Sequence, residues 1–152
     1  METHRYGEQR KQQQRHLYHI GYHKEMIKTV YKILPVFIIY TNKLSAAVFG
    51  GTSKFCFIKI RPRYKDDIGL LNHELTHVKQ FYRLGLLHGI LVRFSKKYRL
   101  KIELEAYRAQ LLSYPIKDRE RKILYFAKFM SERYDLDKTV DECYKLLILK
   151  GT

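Results

Sequence analysis

Residues 70–80 read Leu-Leu-Asn-His-Glu-Leu-Thr-His-Val-Lys-Gln, and within them His73, Glu74 and His77 stand in the order His-Glu-x-x-His. On a helix, residues four apart lie one above the other, so His73 and His77 can each turn an imidazole nitrogen towards a single ion. That is the geometry zinc needs. Glu74, one residue on, projects beside such an ion and can take a proton from water without being a ligand itself. With seven His and nine Glu in the chain, the pattern arises by chance in roughly two per cent of shuffled sequences, so its context matters. The flanking positions 70, 71, 75 and 78 are apolar and no proline interrupts the segment. At about 100° per residue the two histidines lie roughly 160° from Leu75, opposite a stripe of Ile68, Leu71, Leu75, Val78 and Tyr82 that is expected to be buried. Either these imidazoles are solvated or another element covers them.

A covering helix is expected over Arg99–Tyr114, ending before Pro115. It carries Glu103-Leu104-Glu105-Ala106-Tyr107, and its two acids are the first after the histidine motif. Taken alone, they read either as a third ligand or as two solvated helix acids. The two motifs together resemble the gluzincin metallopeptidases, in which HExxH is followed by a helical Glu in a pattern often written ExxxD or ExxAD. Thermolysin-like and CAAX-processing peptidases are members, and Gln80, three residues past the second histidine, is similar to small bacterial and phage members. The resemblance runs from Lys54 to the Glu-bearing helix and does not reach the tails.

It implies an α+β, zincin-like domain with a short sheet packed on the HExxH helix and the Glu helix, and further helices at the C-terminal end. It also implies a zinc-dependent endopeptidase, with His73, His77 and Glu103 as Zn2+ ligands and Glu74 as general base. Tyr107 stands where the pattern ends in Asp, so its hydroxyl, or Asn72 or Asp67 in its place, is expected to orient a ligand imidazole. Two positions on a helix differ by about 200°, so Glu103 facing the histidines turns Glu105 away, towards Lys101.

The elements that must hold these residues follow from pattern. Residues 1–25 are rich in Gln, His and Arg and read as a polar basic arm, mobile or weakly helical, whereas 26–152 read as one domain. A helix over Met26–Leu34 is expected to stop near Pro35, followed by a strand at Val36–Tyr40, a turn at Thr41–Lys43 and a strand at Lys54–Arg61. Asp66 and Asp67 cap the start of the motif helix and Gly85 ends it. Helices over Lys117–Tyr134 and Asp137–Lys150 complete the chain. An extended peptide is expected to pair antiparallel with the Lys54–Ile60 strand if that strand lies at the sheet edge. His88, Tyr64 and Tyr98 qualify by type alone as donors to a developing oxyanion.

Charge points to partners. The chain of 152 residues carries +15, with eight bases and no acid over 26–65 and five bases and no acid over 86–101. Positive charge therefore brackets the motif, and a peptide or protein substrate that is acidic or nucleic-acid-associated is expected. The alternative is a catalytically inactive, metallopeptidase-like basic protein that binds nucleic acid, with Phe55, Phe57, Tyr64, Phe94 and Tyr98 offering stacking faces. His16, His19 and His23 recur at helical spacing but lack an accompanying carboxylate, and read as arm. Two cysteines, Cys56 and Cys143, lie far apart without metal or disulfide spacing, no stretch is apolar enough to span a bilayer, and a cytoplasmic setting is expected.

Overall fold

A computed structural model describes residues 25–30, 33–45 and 48–148. The expected arm, with His16, His19 and His23, lies outside these residues except for Glu25. The described chain is mixed α+β: strands β1 (Glu25–Val30), β2 (Leu34–Tyr40), β3 (Gly51–Lys54) and β4 (Phe57–Ile60) are followed by helices. These are α1 (Ile68–Leu84), α2 (Leu86–Phe94), α3 (Lys96–Leu112), α4 (Ile116–Arg133) and α5 (Val140–Ile148). No helix among the described residues is long and apolar enough to cross a membrane. Cys56 and Cys143 are both free thiols.

The sheet order is β1-β2-β4-β3, with β1 antiparallel to β2, β2 parallel to β4 and β4 antiparallel to β3. Two expectations are corrected here. Residues 26–30 form a strand and not a helix, because Ile27, Thr29 and Val30 are β-branched and β2 pairs with them along their whole length. Pro35 does not break β2, since it pairs only with Thr29 of β1 and lies beyond the ladder with β4, which begins at Phe37. The run Lys54–Arg61 is a hairpin and not one strand: Phe55 takes a positive φ of 57° at the turn, which leaves β3 on the sheet edge and β4 inside.

Val36, Ile38, Ile58 and Ile60 point from the sheet onto Leu71 and Val78 of α1, and each fully buried side chain stabilises the pair by roughly 1.5–3 kcal/mol. Leu75 and Tyr82 pack beside them, but Ile68 is 67% exposed, one turn before the sheet is reached. Asp67 caps α1 by accepting from the Leu70 amide at 2.9 Å, and Gly85 closes it with φ 56°. Gly69 has no side chain because Tyr114 occupies the space: a Cβ there would sit 2.6 Å from the phenol.

Beyond Gly85 the chain forms α2, which sequence reading did not anticipate. None of its residues is buried, and Phe94 is 82% exposed. Ser95 separates it from α3 and caps the latter by accepting from Tyr98 N at 3.1 Å. A second core, built on Leu104, Tyr107, Leu111, Phe126, Met130 and Leu147, joins α3, α4 and α5. The candidate site lies where α1 of the first core packs against α3 of the second.

Candidate metal centre

Capped α1 carries His73 and His77 on the flank that meets α3 and Glu74, one residue round, on the flank that meets β3, and α3 brings Glu103 over the two imidazoles. His73, Glu74 and Glu103 are 5%, 5% and 7% exposed. The Nε2 atoms of His73 and His77 are 3.1 Å apart, and Glu103 Oε2 lies 3.8 Å from the first and 3.7 Å from the second. Ligand bonds of about 2.0–2.1 Å around a tetrahedral ion separate ligand atoms by roughly 3.3 Å, so the triangle is of the right size to close on one.

Two atoms of the cluster, Glu103 Oε2 and His73 Nδ1, are buried without a hydrogen-bond partner. Leaving a buried acceptor unpaired costs about 1–3 kcal/mol, and more when it is charged. An ion shared by the three side chains removes that cost at Glu103. His73, His77 and Glu103 are thus a donor set suited to a small divalent cation, nitrogen-rich with one carboxylate, as zinc prefers.

Gln80 sets the orientation of His77. Its amide nitrogen donates to Ile102 O and to Glu105 Oε2, each at 3.0 Å. Both amide hydrogens are therefore committed, which turns Oε1 to accept from His77 Nδ1–H at 2.9 Å. When the imidazole is neutral, its one proton is thereby fixed on Nδ1 and the Nε2 lone pair faces the site. Glu105, turned away from the histidines, holds Gln80 and also pairs with Arg83 at 3.2 Å, not with Lys101 as expected. This surface pair is worth about 0–1 kcal/mol, so the grip on Gln80 is its larger consequence.

The other expected residues fall out differently. The Tyr107 ring lies edge-on to His73, with centroids 4.5 Å apart, but its hydroxyl bonds to Tyr134 at 3.0 Å and not to an imidazole. Asn72 donates to Ser113 at 2.7 Å and Asp67 accepts from Tyr114, so neither orients a ligand histidine. His88 bonds to the Tyr98 hydroxyl at 2.8 Å, and His88 and Tyr64 both line the cleft. Sequence reading missed Glu105 as the Gln80 anchor, and Ser53 and Gln110 as neighbours of the site. Long-range packing of α1 on β3 and α3 creates those contacts, and no local motif encodes them.

Glu74 points into a cleft of about 1180 Å³. Gly51 permits this: a Cβ there would meet Glu74 Oε1 at 3.3 Å and the Lys59 carbonyl at 3.2 Å. Burial pushes the Glu74 carboxyl up to about 7, with the charge of Glu103 adding to it, while His77 and a bond from Ser53 pull the other way. For His77, burial disfavours the charge, but Glu103, Glu74 and Gln80 outweigh it and raise the imidazole to about 9. His73 is held well below the usual range by burial and by His77, with Gln110 opposing.

These directions make the metal-free chain pH-sensitive. Both folded values exceed the ordinary ones. The Glu74 contribution is therefore complete below pH 4.5 and lost as pH rises through about 7, and that of His77 is complete below 6.5 and lost through about 9. Metal binding must displace the proton that His77 carries on Nε2, so it is opposed at low pH. The rise in thermal midpoint on adding zinc is expected to grow steadily from pH 6 to pH 9. Unfolding scans with zinc and with chelator measure it, and equal increments across that range contradict the assignment.

No protein-family model matches the chain, and neither does any curated protein or any solved structure.

Proposed function

We propose that the chain is a zinc-dependent endopeptidase with a minimal zincin-like fold. The observation that carries this reading is the convergence of His73, His77 and Glu103, with a buried carboxylate oxygen lacking a hydrogen-bond partner, beside Glu74 at the wall of an open cleft. The resemblance of the two motifs to gluzincins supports it. His73, His77 and Glu103 would hold the ion, which when bound supplies Lewis acidity towards a water and a peptide carbonyl.

Glu74 takes the proton of the attacking water and returns it to the departing amine nitrogen, a task suited to a carboxyl poised near neutrality. Strand β3, the sheet edge beside Glu74, offers main-chain groups to an extended peptide, in place of the inner strand expected from sequence. Peptide hydrolysis by the native protein, compared with Glu74→Gln, tests the reading. The proposed enzyme is placed in the cytoplasm, a reducing setting in which two free thiols persist.

One observation favours a second reading, a nucleic-acid-binding protein: Phe55, Phe57 and Phe94 are exposed within acid-free basic stretches, where they can stack on bases. Binding of single-stranded DNA that weakens steeply with salt, together with no hydrolysis in the native protein, would establish it.

A further inference from the structure

Leu70, His73, Glu74, His77 and Phe81 of α1 all line the cleft, which spans about 16 Å from the first to the last at the rise of a helix. Strand β3 follows the same course. Gly50 approaches Leu70, Gly51 approaches Glu74, and Phe55, just past the strand, packs on Phe81 with ring centroids 5.1 Å apart. The cleft therefore has two ends, with His73, Glu74 and His77 between them.

The ends differ in chemistry. Near Leu70, Phe49 reaches α4 by packing on Phe129, centroids 6.3 Å apart. There α4 presents Lys122, Tyr125, Phe129 and Arg133, which recur at helical spacing and all line the cleft. The Lys122 ammonium stands 4.6 Å from the Tyr114 ring centroid and the Arg133 guanidinium 5.8 Å from that of Phe129. Neither cation has a carboxylate partner among the described residues. Asp67, the acid at this end, is already engaged by the Leu70 amide and the Tyr114 hydroxyl.

Near Phe81 the walls are Phe55, Phe81, Leu86, Ile90 and Val92, with His88 among them and bonded to the Tyr98 hydroxyl. Lys54 also borders this end, its ammonium 5.6 Å from the Phe55 ring centroid, so one cation stands here against two at the α4 end.

We infer that the cleft selects a polypeptide with bulky apolar residues before the scissile bond and acidic or aromatic residues after it. The inference rests on the peptidase reading for the position of the bond. The direction follows from strand geometry: β3 runs from the α4 end to the α2 end, so a peptide added antiparallel to it runs from the apolar end to the cationic one. Unpaired cations over aromatic faces complement a carboxylate side chain next to an aromatic one. Single-stranded nucleic acid shares that chemistry, but its phosphates would have to pass the carboxylates of Glu74 and Glu103.

The test uses the full chain loaded with zinc and carrying Glu74→Gln, so that binding is read without turnover. Fluorescence anisotropy compares a peptide of apolar-then-acidic order with its order-reversed counterpart and with an apolar-then-basic one. The first is expected to bind about tenfold tighter than either, with the advantage shrinking as salt rises. Lys122→Ala with Arg133→Ala removes the advantage, whereas Lys122→Arg with Arg133→Lys preserves it. Both positions are solvent-accessible, and an unchanged circular dichroism spectrum verifies folding.

Equal binding of the forward and reversed peptides, or an advantage that survives the alanine pair, overturns the inference. So does an oligonucleotide that displaces the forward peptide at lower concentration. Selective binding without hydrolysis by the native chain would leave the apolar-to-acidic order standing and sink the peptidase reading. Hydrolysis without order preference would do the reverse.

Discussion

The substitution Glu74→Gln is expected to lower peptide hydrolysis by about 10²- to 10⁴-fold while zinc content and thermal midpoint stay near those of the native chain. It keeps the shape of the side chain and the bond to Ser53, and removes only the ability to accept and return a proton. It also removes a carboxyl that burial pushes up to about 7, so replacing it by a neutral amide costs the fold little. Turnover is measured on an extended peptide, and zinc by elemental analysis of the same preparation. Undiminished hydrolysis in the Glu74→Gln variant would show that another group handles the proton, and would remove Glu74 from the mechanism.

The second large effect separates two carboxylates two residues apart. Glu103→Ala deletes an oxygen that stands 3.7 and 3.8 Å from the two imidazole nitrogens, and is expected to weaken zinc binding by more than about 100-fold, beyond what outer partners contribute. Glu105→Ala is expected to weaken it on the order of tenfold, because Glu105 acts only through the Gln80 amide that orients His77. Chelator competition on both variants measures the pair. A larger loss in Glu105→Ala than in Glu103→Ala would reverse the register of α3 and, with it, the placement of Tyr107 against His73.

The motif and its helix were legible because their signals are local. The Asp67 cap, the Gly85 stop and the four-residue histidine spacing each need only a few neighbouring residues, and α1 has the expected ends. The choice of Glu103 over Glu105 came from the resemblance of Glu103–Tyr107 to the ExxAD pattern, and helix geometry then turns Glu105 to the other side. What escaped was set by partners distant in sequence. Residues 26–30 become a strand because β2 pairs with them, and the Lys54–Arg61 run splits because Phe55 accepts a left-handed turn that its side chain does not signal. Helix α2 escaped because it is only nine residues long, carries Gly89 and buries none of its side chains, so no core position marks it.

The same division holds within the site. Tyr107 was expected to bond to an imidazole, yet a hydroxyl from Tyr134, supplied by the end of α4, takes that bond instead. Orientation of His77 passes to Gln80, whose amide is held by a carbonyl and a carboxylate from α3. A glutamine one turn past a histidine is common on any helix. Only the packing of α3 gives this one its role.

Zinc K-edge X-ray absorption on the purified, zinc-loaded chain tests the central claim most directly. The account predicts one zinc per chain in a shell of nitrogen and oxygen at about 2.0–2.1 Å, with the outer scattering of two imidazoles and no sulfur. A sulfur shell at about 2.3 Å, which would place the ion on Cys56 or Cys143, contradicts it, as does a chain that retains no zinc at all.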